Sequence, residues 1–322
     1  MNRILLPMLA LGLWLASVSF GYATEPKPEQ AKAIAEIVKL GGKVAVDEKN
    51  ADKPILGVDL AYRKATDDTL EHLKWLTTLQ SLNLRETEVT DAGLEHLKGL
   101  TDLQKLDLFC TRVTGAGLVH LERLTNLRSL NLVHLFVSPN NQPLNLGHLK
   151  GLTKLQSLDL GANEVTDAGL EDIKGLTNLR SLQLTLTKVA DVGLANLKVL
   201  TDLRSLGLSQ TKVTDTGLEH LKGLTKLQSL ELRYTEVTDA GLEHLRGLTK
   251  LQSLALQCTQ VTDKGLEHLK GLENLQRLDV SGTGVTDAGV KKLQQALPNC
   301  KINWTPPTTD EPQGPASPGH LR

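Results

Sequence analysis

The sequence predicts an α/β solenoid, a chain wound into many similar coils, and three observations carry that prediction. Leucines open successive units at Leu79, Leu103, Leu127, Leu155, Leu179, Leu203, Leu227, Leu251 and Leu275, a step of 24 residues except for 28 between Leu127 and Leu155. Within each unit the apolar spacing passes from that of a strand to that of a short helix. Aromatic residues are only 3% of the 322, so leucine fills one repeated core environment. A fixed internal period of this length belongs to stacked repeats.

The unit starting at Leu79 shows why each element forms. Leu82 and Leu84 fall on one side of a short strand, with Asn83 on the other. Val89 follows a turn, and Thr90-Asp91 offers side-chain oxygens to cap a helix start. Leu94, Leu97 and Leu100, three residues apart, make one stripe of a short α or 3₁₀ helix, which Gly99 can end. One coil buries too few side chains to offset the entropy of ordering it. Stacking lets neighbours share both faces of each leucine layer and pair their strands into a parallel sheet. Stepping back 24 residues from Leu79 reaches Ile55, which opens a weaker tenth unit through Val58, Leu60, Leu70, Leu73 and Leu76.

Leu79-Gln80-Ser81-Leu82-Asn83-Leu84-Arg85-Glu86-Thr87-Glu88-Val89 resembles the leucine-rich-repeat signature, with threonine in the place usually held by asparagine or cysteine. Thr90-Asp91-Ala92-Gly93-Leu94 is similar to the variable half of bacterial repeats and of the cysteine-containing subclass. The resemblance covers Ile55 to about Leu297. It implies a leucine-rich-repeat solenoid, a curved right-handed superhelix with a parallel concave sheet and short convex helices. It also implies a non-catalytic binding scaffold, without naming the ligand.

The ends depart from the period. Arg3, the apolar run Ile4 to Val18 and the small residues at Gly21-Tyr22-Ala23 have the layout of a secretory signal peptide spanning 1–23. That predicts a secreted or periplasmic chain; retention of the segment as an anchor is the alternative. Residues 24–54 read as an N-terminal cap: Ile34, Ile37 and Val38 form a helical stripe, Gly41-Gly42 stops it, and Val44 and Val46 alternate like a strand. Ten repeats then occupy 55–297 and a C-terminal cap 298–304, and the proline-punctuated tail 305–322 reads as disordered. Pro139 and Pro143 fall in the four-residue insertion of the unit starting at Leu127, where Ser138 to Asn145 replaces the regular turn and Leu135 the usual threonine.

Composition excludes several classes. The formal charge of −1, from 36 basic and 37 acidic residues, gives no overall field for nucleic acid or an anionic membrane. No further segment is apolar enough to span a bilayer. Nothing resembles a zinc-protease helix, a phosphate-cradling loop, a nucleophile elbow or a calcium-binding loop, and neither enzyme activity nor a cofactor is expected. His72, His96, His120, His148, His220, His244 and His268 share one repeat position, which allows a metal ladder. Duplication of a solvent-facing histidine explains the same column, and no metal is expected. Cys110 and Cys258 sit six units apart, roughly 29 Å at about 4.8 Å per strand, beyond disulfide reach, and read as half-buried apolar side chains. Thr87, Thr111, Thr187, Thr211, Thr235, Thr259 and Thr283, with Asn163 once, are expected to bond buried backbone groups at the turn.

Repeats supply their own alignment, so positions that vary among units mark the candidate docking face. Beyond residue 23 the aromatics are Tyr62, Trp75, Phe109, Phe136, Tyr234 and Trp304, and Tyr62, Phe109, Phe136 and Tyr234 occupy variable strand-face or turn positions. Exposed rings and arginines are typical anchors of protein interfaces. The expected docking patch is Phe109, Cys110, Arg112, Val133, His134 and Phe136, with Tyr62, Arg85, Leu186, Arg233 and Tyr234 as further contacts, and a protein as ligand. A self-associating envelope component and a surface-polysaccharide binder are the alternatives.

Overall fold

The computed structural model describes residues 27–136 and 143–305. The signal-like segment, positions 138–142 of the insertion and the tail from Pro306 lie outside these residues. The chain divides at Asn140 into two compact units.

In the first unit, helix Pro28–Lys39 buries Ala31, Ala33, Ile34 and Ile37, and Gly41 at φ +73° turns the chain out of it. Val38, expected on the same stripe, instead faces solvent. Strand β1 (Lys43–Val46) then pairs antiparallel with β2 (Ile55–Asp59). From β2 onward the pairing is parallel: β3 (Ser81–Asn83), β4 (Lys105–Asp107) and β5 (Ser129–Asn131) follow in chain order, each in a register offset of one coil. The second unit continues the pattern with β6 (Ser157–Asp159), β7 (Ser181–Gln183), β8 (Ser205–Gly207), β9 (Ser229–Glu231), β10 (Ser253–Ala255), β11 (Arg277–Asp279) and β12 (Lys301–Asn303), all parallel.

The regular leucine positions of the coils land in the core. Leu79, Leu82, Leu84, Val89, Leu94, Leu97 and Leu100 are all buried, as are their described counterparts through the coil starting at Leu251; in the last coil Val290 is half-buried and Ala296 exposed. The helical side is short: Asp91–Leu94 forms one α turn and Glu95–Leu97 one 3₁₀ turn. The second unit ends with helix Asp287–Ala296 and β12, and Trp304 Nε1 donates to Val285 O over 2.7 Å.

The Thr-Asp-x-Gly run does more than cap helices. Thr90 Oγ1 accepts from Ala92 N, as a helix cap should. Asp91 reaches away, into the next coil: its Oδ1 accepts from Thr114 N at 2.7 Å and its Oδ2 from Thr114 Oγ1 at 2.6 Å. Asp67 makes the same pair of bonds to Thr90, and Asp191, Asp215, Asp239 and Asp263 make it to Thr214, Thr238, Thr262 and Thr286. Asp167 bonds only the backbone N–H, because Ala190 has no hydroxyl. Gly93, Gly117, Gly193, Gly217, Gly241, Gly265 and Gly289 each make room for the carboxylate of the coil before. A Cβ on Gly241 would lie 2.3 Å from Asp215 Oδ1, closer than real atoms approach. Gly115 stands where the aspartate belongs and ends the run in the first unit.

The threonine ladder is buried and bonds the backbone, as the sequence implies. Thr87, Thr111, Thr187, Thr211, Thr235, Thr259 and Thr283 each donate to the carbonyl three residues earlier, and Asn163 Nδ2 does the same toward Leu160.

One residue before each ladder position the backbone turns left-handed. Tyr62, Glu86, Cys110 and His134 in the first unit, and Ala162, Leu186, Gln210, Tyr234 and Cys258 in the second, have φ between +51° and +60°; Gly282 ends the row at +69°. Side chains resist this conformation by roughly 1–2 kcal/mol, so the row stores strain that glycine would release. Gln210→Gly, at an exposed position, is expected to raise stability by about 1 kcal/mol. A urea midpoint at or below that of the unmodified chain would contradict it.

Candidate partner-binding surface

The variable positions lie at the exit ends of the strands, where three rows run from coil to coil. The first row continues the open face of the sheet and holds Ala61, Arg85, Phe109 and Val133 in the first unit. The second is the left-handed row, with Tyr62, Glu86, Cys110 and His134. The third lies past the buried threonine: Arg112 N donates to Val89 O and Phe136 N to Val113 O, which places Glu88, Arg112 and Phe136 on successive coils. The sequence reading treated these residues as one face. Phe109 and Phe136 stand in different rows, on either side of the turn.

Side chains capping the strand ends set the first row. Asp59, Asn83, Asp107 and Asn131 each accept, through Oδ1, the backbone N–H two residues on, closing a tight turn after the strand. These positions, on the open side of each strand, are thus partly spent on structure. Their bonds fix the backbone of Arg85, Phe109 and Val133. Each left-handed residue then donates its N–H to the first-row carbonyl of the next coil: Tyr62 to Arg85, Glu86 to Phe109, Cys110 to Val133.

The centre of the surface is a stack. The guanidinium of Arg85 lies 3.7 Å from the centroid of the Phe109 ring and 6.0 Å from that of Tyr62. Such cation–π contact is worth about 0.5–2 kcal/mol. Arg85 Nε is buried and lies 3.8 Å from Glu86 Oε1, an ion pair beyond hydrogen-bond length. Phe109 is therefore half-buried beneath Arg85, whereas Tyr62 is 61% and Phe136 58% exposed. Arg112 is held 3.5 Å from Glu88. Cys110 and His134 are exposed, and Val133 is half-buried.

Leu186, Arg233 and Tyr234 belong to the second unit. Leu186 and Tyr234 occupy the left-handed row and are largely exposed. Arg233 N donates to Ser209 Oγ at 3.3 Å. A hydrogen bond with the Cys258 thiol pushes the Tyr234 phenol above its usual range. Cys258 and Cys110 are exposed rather than half-buried: the left-handed turn carries both side chains outward. All three cysteines are unpaired, and burial raises the pKa of Cys300.

The histidine column is not simply solvent-facing either. His72 is exposed, but His96, His120, His148, His220, His244 and His268 are half-buried, and Nδ1 of His120, His220 and His244 is buried without a partner. Among the described residues, no three histidine, cysteine or acidic side chains come together as a metal site, and no helix is long and apolar enough to cross a membrane.

A leucine-rich-repeat sequence profile matches residues 76–98, 151–174, 175–198, 223–245, 247–270 and 271–293. The coils are leucine-rich repeats. An internalin of Listeria monocytogenes is 22% identical, covers 86% of this chain and 95% of its own, and superposes with a TM-score of 0.50. Internalin C2 of the same organism is 28% identical over 66% of this chain and 84% of its own, with a TM-score of 0.52. The leucine-rich-repeat ectodomain of the Arabidopsis thaliana receptor kinase GASSHO1/SCHENGEN3, in complex with CASPARIAN STRIP INTEGRITY FACTOR 2, is 22% identical with a TM-score of 0.55. The alignment covers 78% of this chain and 30% of that one. Among curated proteins none matches in sequence.

The leucine-rich repeats here carry two features that sequence reasoning missed. The coil-to-coil aspartate bonds were signalled by an aspartate and a glycine that hardly vary among units. The Arg85–Phe109 stack had a weaker signal: both residues hold the same repeat position one coil apart.

Proposed function

We propose that this chain is an exported, non-catalytic scaffold that holds a protein partner on the exit-end surface of its first unit. The stack of Tyr62, Arg85 and Phe109 carries the reading. Interfaces concentrate their energy in a few aromatic and arginine anchors, and here three such side chains are already ordered against one another before any partner arrives. Preorganisation lowers the entropy cost of binding. Phe136, Arg112, Cys110, Val133 and His134 extend the surface, and Leu186, Arg233 and Tyr234 offer further contacts on the second unit. Leucine-rich-repeat stacks generally work by presenting one long surface to a ligand. The N-terminal Arg3 and the apolar run Ile4 to Val18 support export.

Alanine variants separate docking from packing. Phe136→Ala and Tyr62→Ala, at exposed rings, are expected to weaken crosslinked capture of a protein partner from the cell envelope about tenfold or more, with the melting temperature nearly unchanged. Arg85→Ala should do the same at the cost of about 1 kcal/mol of stability from the lost stack. Undiminished capture by all three variants would end the proposal.

A further inference from the structure

The entry edge of the second unit's sheet carries a charge pattern that the protein-docking surface does not use. Arg180 and Arg204 precede strands β7 and β8 and are backbone neighbours, Arg204 N donating to Arg180 O over 2.8 Å. Lys226 and Lys250 occupy the position two residues earlier on the next two coils. All four side chains are exposed. The carboxylate among them is Asp202, bonded by Lys226 Nζ at 2.5 Å. Among the described residues, no carboxylate pairs with Arg180, Arg204 or Lys250. The other residues of these columns are neutral: Thr177, Asn178, Thr201, Thr225, Gln228, Thr249 and Gln252, with Glu273 bounding the row one coil on. The row contrasts with the helical side, where the cations of the second unit are largely matched: Glu171 with Lys174, Glu219 with Lys222, Glu243 with Arg246, Glu267 with Lys270.

We propose that this row of Arg180, Arg204, Lys226 and Lys250 is a second binding site, one for an extended anionic polysaccharide. Arg180 and Arg204, and likewise Lys226 and Lys250, stand one coil apart, roughly the 4.8 Å strand spacing, with the lysine pair offset by two residues, so a linear polyanion crossing the coils meets a cation on each of the four. The hydrogen bond and charge of Lys226 hold the Asp202 carboxyl below its usual range, with smaller contributions from the charges of Arg180 and Arg204. Single-stranded nucleic acid would want aromatic platforms for its bases, and the row has none. Acidic-polymer recognition by basic patches needs only the charges. The site stands on different residues from the protein-docking surface and does not depend on it.

Salt elution of the full chain from immobilised heparin tests the idea. The unmodified chain should be retained in low-salt buffer and released by added salt, because the contacts displace counterions. Replacing the four cations together (Arg180→Ser, Arg204→Ser, Lys226→Ser, Lys250→Ser) should weaken heparin binding about tenfold or more with an unchanged melting temperature. Asp202→Ala, which removes the one carboxylate in the row, should move elution to higher salt. An unretained wild type, an unchanged Asp202→Ala, equal retention of the quadruple variant, or tighter binding to single-stranded DNA of matched length would each overturn the proposal.

Discussion

Asp215→Ala is expected to destabilise the second unit by about 2–4 kcal/mol, an unusually large effect for a partly exposed side chain. The carboxylate accepts two hydrogen bonds from the following coil, from Thr238 N at 2.8 Å and Thr238 Oγ1 at 2.6 Å. Bonds to a charged group contribute about 1.5–3 kcal/mol each, and a half-buried N–H left without a partner adds its own cost. Gly241→Ala attacks the same contact from the other side. Its methyl would fall 2.3 Å from Asp215 Oδ1 and 3.1 Å from Leu218 Cδ1, so the carboxylate must leave its bonds. The two losses are the same loss. Combining Asp215→Ala with Gly241→Ala should therefore leave the chain about as stable as Asp215→Ala alone: the carboxylate clash is gone, the end of Leu218 has only a few tenths of an ångström to yield to the methyl, and alanine favours the helix. Gly223→Ala, with nothing within 4 Å of its Cβ, is the control and should change little. Urea denaturation of the four variants decides: additive losses, or a harmless Gly241→Ala, would mean that the carboxylate does not clamp the coils.

Thr235→Val should cost about 1–3 kcal/mol although shape and volume hardly change. The hydroxyl is buried and donates to Leu232 O over 2.7 Å, at the point where the strand gives way to the left-handed turn of Tyr234. Valine keeps the packing and strands the carbonyl, and an unsatisfied buried acceptor is what costs. Thr235→Ser, which retains the donor, should recover most of the difference. If valine and serine prove equally mild in thermal unfolding, the ladder is packing rather than hydrogen bonding. In the coil starting at Leu127, Leu135 fills that place and is buried.

The coils were legible in the sequence because one side chain in one environment repeats at a fixed step. Leu79 to Leu100 could be assigned to strand, turn and helix from spacing alone, and the structure buries each of them. The threonine ladder was legible for a related reason: a small polar residue fixed among buried leucines must bond something. Contacts that cross from coil to coil were harder. Asp91 reads locally as a helix cap, and only its position against Thr114 reveals the bond that matters. The exposure of Cys110 and Cys258 depended on a positive φ that a non-glycine side chain gives no hint of. Within the candidate surface, the residue types were visible but their rows were not: spacing placed Phe109 and Phe136 near one another, and only the backbone bonds separate them across the turn. The charge row at Arg180 and Arg204 escaped the overall balance of −1, because its excess is local and offset elsewhere.

Cysteine protection tests the central claim most directly. Cys110 lies within the proposed docking surface and Cys258 occupies the same left-handed row in the second unit, and both thiols are exposed. Alkylation of each, followed by mass spectrometry with and without the bound partner, reads where the partner sits. Strong protection of Cys110 with a smaller change at Cys258 is the result expected of a partner anchored on Tyr62, Arg85 and Phe109. Protection of Cys258 with Cys110 left fully reactive, or no protection of either, would contradict it.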